Sequence, residues 1–326
     1  MALVTCLATV GCEGRSEATR AQTVAATTEV GDEPIRPLAA REDSDARLVS
    51  VGRRLFFDGI LSGDGTVRCA SCHELSSGGD DGRPRSTGIG GKIGQVNAPT
   101  VFNSALNFVQ FWDGRAPTLE EQARGPIENP LEMGSTLSAA TARVSAKPEY
   151  RAAFSAVFTD GVTETHIREA IAAFERTLAT PDAPVDRFLR GDASALTPEQ
   201  REGYELFKSA GCIACHQGEN VGGNMFQRFG VMGNYFEDRG GLTSADDGRF
   251  NVTHLESDRH VFRVPSLRNV ELTAPYFHDG SAPTLDRAVR VMAKYQLGRQ
   301  LADEQVDRIV LFLKALTGKQ PQVEGT

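Results

Sequence analysis

Cys69-Ala70-Ser71-Cys72-His73 constrains this chain more than any other stretch, and it recurs as Cys212-Ile213-Ala214-Cys215-His216. Two thiols three positions apart, followed at once by an imidazole, meet the requirements of covalent haem attachment. The sulfurs form thioethers to the vinyl groups, and the tight turn delivers the histidine to the iron. A single copy would also fit a zinc or redox Cys-x-x-Cys, but two copies that each carry His directly after the second thiol disfavour that reading. A chain that encloses two haems has to build two pockets, and 326 residues suffice for two domains, each with a core. Four of the six cysteines are accounted for by haem, so no disulfide framework is implied.

The formal net charge of -8 argues against a nucleic-acid partner and favours a basic protein partner. Residues 2–11 (ALVTCLATVG) are apolar, too short to span a bilayer, and similar to the core of an export signal. Haem attachment in bacteria takes place outside the cytoplasmic membrane, so a periplasmic destination is expected. Cys12 after Gly11 offers a lipid-attachment position, but Thr9 stands where a lipobox takes a large aliphatic, which favours an ordinary cleaved signal. From Glu13 to about Ser44 there is no apolar periodicity, so residues 1–44 read as signal and partly disordered lead-in.

One module is used twice. Val49 to Phe57 places Val51, Leu55 and Phe56 on one helical face before the first motif. Before the second, Thr197-Pro198-Glu199-Gln200 starts a helix with Thr as cap, Pro first and Gln closing the capping box. Both helices carry Gly-x-x-Leu-Phe, at Gly52 and Gly203, where a glycine lets another helix approach closely. After the motifs, residues 111–119 (FWDGRAPTL) and 277–285 (FHDGSAPTL) agree at seven of nine positions at an offset of 166. Each module closes on an apolar helical stripe: Ile167, Ile171, Phe174 and Leu178 in the first, Ile309, Phe312, Leu313 and Leu316 in the second, which Gly318 ends. The expected fold is mostly α, two class-I-cytochrome-c-like haem domains related by an internal repeat. They cover 45–180 and 197–318, with a linker at 181–196 and a tail at 319–326.

The copies differ where it matters. Met292 follows the second Asp-Gly-x-Ala-Pro-Thr-Leu string, and Pro126 stands at the matching place in the first. A thioether opposite His216 would complete a six-coordinate iron suited to passing electrons; Met225 and Met232 are rivals in a Gly-rich loop. From Glu74 to Thr165 there is no histidine, and Met133 is the only methionine, so the iron on His73 is left open to a small oxygen species. Gln122, Glu128 and Glu132 lie in that segment, and a carboxylate over the iron can move the proton that O–O cleavage requires. His278 replaces Trp112 in the repeat and is expected near the second haem or the seam between domains.

In order, these motifs, with Asn97-Ala98-Pro99-Thr100, Phe111-Trp112-Asp113-Gly114-Arg115, Pro130-Leu131-Glu132-Met133 and Leu272 to His278, resemble the bacterial dihaem cytochrome c peroxidases. The likeness covers about residues 45 to 318, and the dihaem maturation enzyme of methylamine dehydrogenase is a more distant relative. The resemblance implies a periplasmic, usually dimeric enzyme that reduces hydrogen peroxide to water with electrons from a small cytochrome c or cupredoxin. Electrons would enter at the haem held by Cys212, Cys215, His216 and Met292, and be used at the haem held by Cys69, Cys72 and His73. It also implies Glu132 as acid–base residue, Gln122 as a hydrogen-bond donor in the pocket, and Trp112 as a relay between haems. A calcium ion would sit between the domains on Asn97 and the carbonyls of Thr273 and Pro275.

One departure stands out. Many family members hold a histidine in the loop after the first motif that caps the iron until the second haem is reduced; the aligned position here is Ile89, which cannot ligate. The expectation is a first haem open or water-bound even when oxidised, so that no reductive activation is needed. Two other functions compete: a dihaem oxidase that modifies a protein substrate, disfavoured because a tyrosine replaces the methionine there, and a non-catalytic electron carrier, disfavoured by the missing sixth ligand.

Overall fold

The computed structural model describes residues 1–2, 33–39 and 45–321, so the signal-like stretch and Cys12 lie outside the described residues. The fold is mostly helical. The helices are α1 (Ala46–Phe57), α2 (Leu119–Glu128), α3 (Leu137–Ala146), α4 (Pro148–Ser155), α5 (Glu164–Arg176), α6 (Pro184–Leu189), α7 (Pro198–Ala210), α8 (Tyr235–Arg239), α9 (Phe250–Thr253), α10 (Leu285–Leu297) and α11 (Asp303–Lys314). Strands β1 (Phe226–Arg228) and β2 (Val261–Arg263) pair antiparallel, Phe226 opposite Arg263. No described helix is long and apolar enough to cross a membrane.

Two helix pairs organise the cores. α1 crosses α5 where Gly52 leaves no room for a side chain: a Cβ there would lie 1.8 Å from the Ala170 carbonyl oxygen and 3.0 Å from Phe174 Cβ. α7 crosses α11 in the same way, with a Gly203 Cβ at 1.9 Å from the Arg308 oxygen and 3.0 Å from Phe312 Cβ. Around the first crossing Val51, Leu55, Ile127, Met133, Phe154 and Ile171 bury one core. Around the second, Tyr204 stacks on Phe312 with centroids 4.9 Å apart, and Val289, Ile309 and Leu316 complete another. The caps read from sequence form: Thr197 accepts from the Gln200 N–H, while the Gln200 side chain accepts from the Thr197 N–H.

Three expectations change. Residues 181–196 do not form a bare linker: Pro184 occupies the first turn of α6, and Ala183, Val185 and Leu189 join the second core. The lead-in is not wholly a tether, because residues 33–39 dock on the second half. Ile35 is buried in its core, the Arg36 N–H donates to the Gly218 carbonyl, and the Leu38 N–H donates to Asp186. Gly318 does not end α11, which stops at Lys314; its missing side chain instead admits the Thr180 carbonyl, 1.9 Å from where a Cβ would be. Asp186 thereby becomes a buried node, ion-paired with the equally buried Arg268 at 2.8 Å.

Candidate functional site

Each Cys-x-x-Cys-His forms one turn of 3-10 helix, with the histidine N–H donating to the first cysteine's carbonyl at 3.0 Å in both copies. In the second copy both cysteines and the histidine line one cavity, as attachment requires. His73 Nδ1 lies 3.2 Å from the Gly79 carbonyl and His216 Nδ1 lies 3.4 Å from that of Val221. A neutral ring that donates from Nδ1 presents a bare Nε2, the form in which imidazole binds iron. Burial favours that form, holding His73 below its usual range and His216 down at about 4. Gly222 is needed for this packing: with φ +128° it approaches the Pro265 carbonyl and His216 so closely that a Cβ would stand 2.2 Å from the carbonyl oxygen.

The second turn opens on a cavity of about 390 Å³ lined by Cys212, Cys215, His216, Met292 and Leu313, with Trp112 reaching in from the first half of the chain. Met292 projects from α10, whereas Met225 and Met232 do not line the cavity, and Met232 is 62% exposed against Gly298. Two thiols, a neutral imidazole, a thioether and apolar walls fit a c-type haem. Asn97, Thr273, Pro275 and His278 line the same cavity. Trp112 Nε1 donates to the Asn97 carbonyl at 2.9 Å, and the Asn97 N–H donates to that of His278 at 2.8 Å, so the tryptophan is fastened to the seam. The expected neighbourhood of His278 is therefore observed, but its Nε2 is engaged by Asp246 at 2.7 Å. Arg239 pairs with the same carboxylate and holds it, with His278, well below the usual carboxylate range.

Around the first turn, Glu132 is half-buried beyond the end of α2. Asn129, the C-cap of that helix, donates from Nδ2 to Glu132 Oε1 at 2.6 Å. Burial pushes the Glu132 carboxyl up, opposed by the Asn129 bond and by the Arg115 guanidinium. Burial raises the Cys72 thiol, and the Asp81 and Glu132 carboxylates add to that. Of the sequence candidates, Glu128 points elsewhere, paired with Arg124 at the surface, and Met133 is buried in the core. Gln122 sits half-buried on α2, one turn before Pro126. Ile89 is tied to this loop: its N–H donates to the Glu132 carbonyl at 2.7 Å, and its side chain packs beside Gly63 and Gly134.

Several residues here were missed from sequence. Asn129 precedes Glu132 by three residues, the spacing of a local cap, and that is the signal that could have found it. Asp80 is 1% exposed with no hydrogen-bond partner for either carboxylate oxygen among the described residues; it flanks Gly78, which abuts Leu272, and burial pushes it up to about 6. Glu175 is a buried carboxyl on α5, close to Cys69. Nothing local in the sequence marks either one as interior.

A family model described as di-haem cytochrome c peroxidase matches residues 46–194. The cytochrome c551 peroxidase of Nitrosomonas europaea is 49% identical over 89% of this chain and 86% of its own length. The cytochrome c peroxidase Ccp of Escherichia coli is 48% identical over 88% of this chain, which spans 62% of that longer relative. Among solved structures, a MauG-like protein associated with microbial copper homeostasis superposes with a TM-score of 0.74 at 29% identity, covering 88% of this chain and 93% of that one.

Proposed function

Because the chain belongs to the dihaem cytochrome c peroxidase family, we propose that it reduces hydrogen peroxide to water with electrons from a small cytochrome c or cupredoxin, at a haem on Cys69, Cys72 and His73 fed by another on Cys212, Cys215, His216 and Met292. The observation that carries the division of labour is the contrast between the two halves: Met292 shares a cavity with His216, while in the first half Glu132 is a half-buried carboxylate and Met133 is spent in the core. When bound, the haems would supply one-electron redox chemistry and an iron that takes peroxide.

The protein's own groups account for the rest. Glu132, raised by burial and opposed in that by Asn129 and Arg115, is the group that takes a proton from one peroxide oxygen and gives it to the other. Gln122 supplies a neutral donor from α2. Trp112, fixed by Asn97, offers its ring as a bridge between the two halves. His73 and His216 are held neutral by burial and oriented by backbone carbonyls. Ile89, with its backbone spent on the Glu132 loop, leaves the first iron uncapped, so the oxidised enzyme is competent without prior reduction. The repeated helix crossings at Gly52 and Gly203 support two cytochrome-c-like haem domains.

Asn97, Thr273 and Pro275 line the same cavity, and Asn97 donates from Nδ2 to the Arg83 carbonyl, which leaves its amide oxygen available. With the unpaired Asp80 carboxylate near this segment, the set fits a hard, oxygen-liganded cation such as calcium. Export to the periplasm and a homodimer complete the reading.

The deciding experiment mixes peroxide with fully oxidised and with half-reduced holoenzyme in a stopped-flow instrument. Both forms should react and turn over reduced cytochrome c. Reaction of the half-reduced form alone, with a low-spin first haem in the electron paramagnetic resonance spectrum of the ferric protein, would refute the uncapped resting state; no reaction of either form would favour an electron carrier.

A further inference from the structure

We propose that Glu175 sets the working potential of the first haem apart from that of the second, as a buried carboxyl at the first haem's edge where the second haem meets the aliphatic Leu313. The inference rests on the two-haem reading above. Its geometry comes from the helix crossings. The Gly52 crossing is spanned by Ala170 and Phe174, and the Gly203 crossing by Arg308 and Phe312, at matching distances. The residue after each phenylalanine therefore occupies the same station relative to its attachment turn. In the second half that residue is Leu313, which lines the cavity with Cys212 and His216. In the first half it is Glu175, 6% exposed, next to Phe174, whose cluster packs against Cys69 as that of Phe312 packs against Cys212.

A carboxyl that follows Phe174, in the apolar cluster of Phe56, Leu75 and Leu178 against which Cys69 packs, is costly to bury. The charged groups around it are few: Cys69 from the turn, which carries no titratable proton once it is a thioether, Arg176 on its own helix, and Glu120 from α2, which is itself engaged by Arg176. Burial pushes Glu175 up to about 8, with Arg176 pulling down and Glu120 pushing up. An anion at this place favours the more positive, oxidised iron, so it lowers the potential of the first haem; Leu313 has no such effect on the second. When the first iron gains one electron, the ionised Glu175 takes one proton from solvent, and re-oxidation returns it, so that charge balances at the site.

The test is spectroelectrochemical titration of the holoenzyme across pH 6 to 10, compared with Glu175→Gln and Glu175→Leu and with Leu313→Glu. In the wild type the potential of the first haem should fall as pH rises through the titration of Glu175. In Glu175→Gln and Glu175→Leu it should shift upward at high pH and lose that slope, while the second haem stays where it was. Leu313→Glu should lower the second haem alone. Wild-type and Glu175→Gln potentials that coincide across the whole range would overturn the inference. A haem count below two in the wild type would instead overturn the reading on which it rests.

Discussion

Glu132 is worth more to the chemistry than its neighbours because two opposing influences meet on it. Burial favours the acid, Asn129 and Arg115 favour the anion, and burial prevails, so the carboxyl titrates above its ordinary range. Glu132→Gln keeps the shape and removes the proton transfer, so peroxide turnover should fall by about 10²- to 10⁴-fold with both haem spectra unchanged. Asn129→Ala is subtler. It removes a bond that holds the anion, so the carboxyl titrates higher, and the acid limb of the kcat/KM profile should move to higher pH with a smaller loss at its plateau. A plateau loss without a shifted limb would assign Asn129 to loop structure only. Sequence reached Glu132 only through family likeness, since spacing alone left Gln122, Glu128 and Glu132 equivalent. Folding separated them: Glu128 turns to Arg124 in solvent, and Glu132 turns inward after the C-cap.

At the scale of elements, α1 with α5 and α7 with α11 are legible in advance, because glycine spacing, caps and apolar stripes are local signals. Gly52→Ala and Gly203→Ala test them. Each new methyl would collide with a backbone oxygen that no rotamer can move, so the helices must part, and each substitution should cost about 1–3 kcal/mol. Denaturant midpoints of the holoprotein should fall accordingly; unchanged midpoints would mean that the helices do not approach as closely as described. The segment 181–196 was misjudged for a physical reason. Pro181 and Pro184 read as breaks, yet a proline at the first helical position suits a helix start, and what makes α6 interior is contact with residues more than 80 positions away, such as Arg268. Long-range partners of this kind leave no periodicity behind. The same holds for residues 33–39, whose order depends on Asp186 and Gly218.

At the scale of the whole molecule, a buried carboxyl lies between the halves. Asp80 comes from the loop after the first haem turn, where the neighbouring Gly78 abuts Leu272 of the second half, and among the described residues neither of its oxygens has a hydrogen-bond partner. Its carboxyl is pushed up to about 6 by burial, against about 4 in an unfolded chain. The unfolded state therefore releases its proton first. Between pH 4 and 6 a rising pH erodes stability, and above 6 the full penalty of a buried anion remains. Without added metal, Asp80→Asn should match the wild type near pH 4 and melt at a higher temperature than the wild type above pH 6. A cation on Asn97, Thr273 and Pro275 would neutralise Asp80 from nearby, so calcium should raise the melting temperature of the wild type at pH 7.5 more than that of Asp80→Asn. Chelator should reverse the gain. Equal calcium responses in the two proteins would separate Asp80 from the cation and leave it as an uncompensated buried charge, whereas no response in either would remove the cation from the seam altogether.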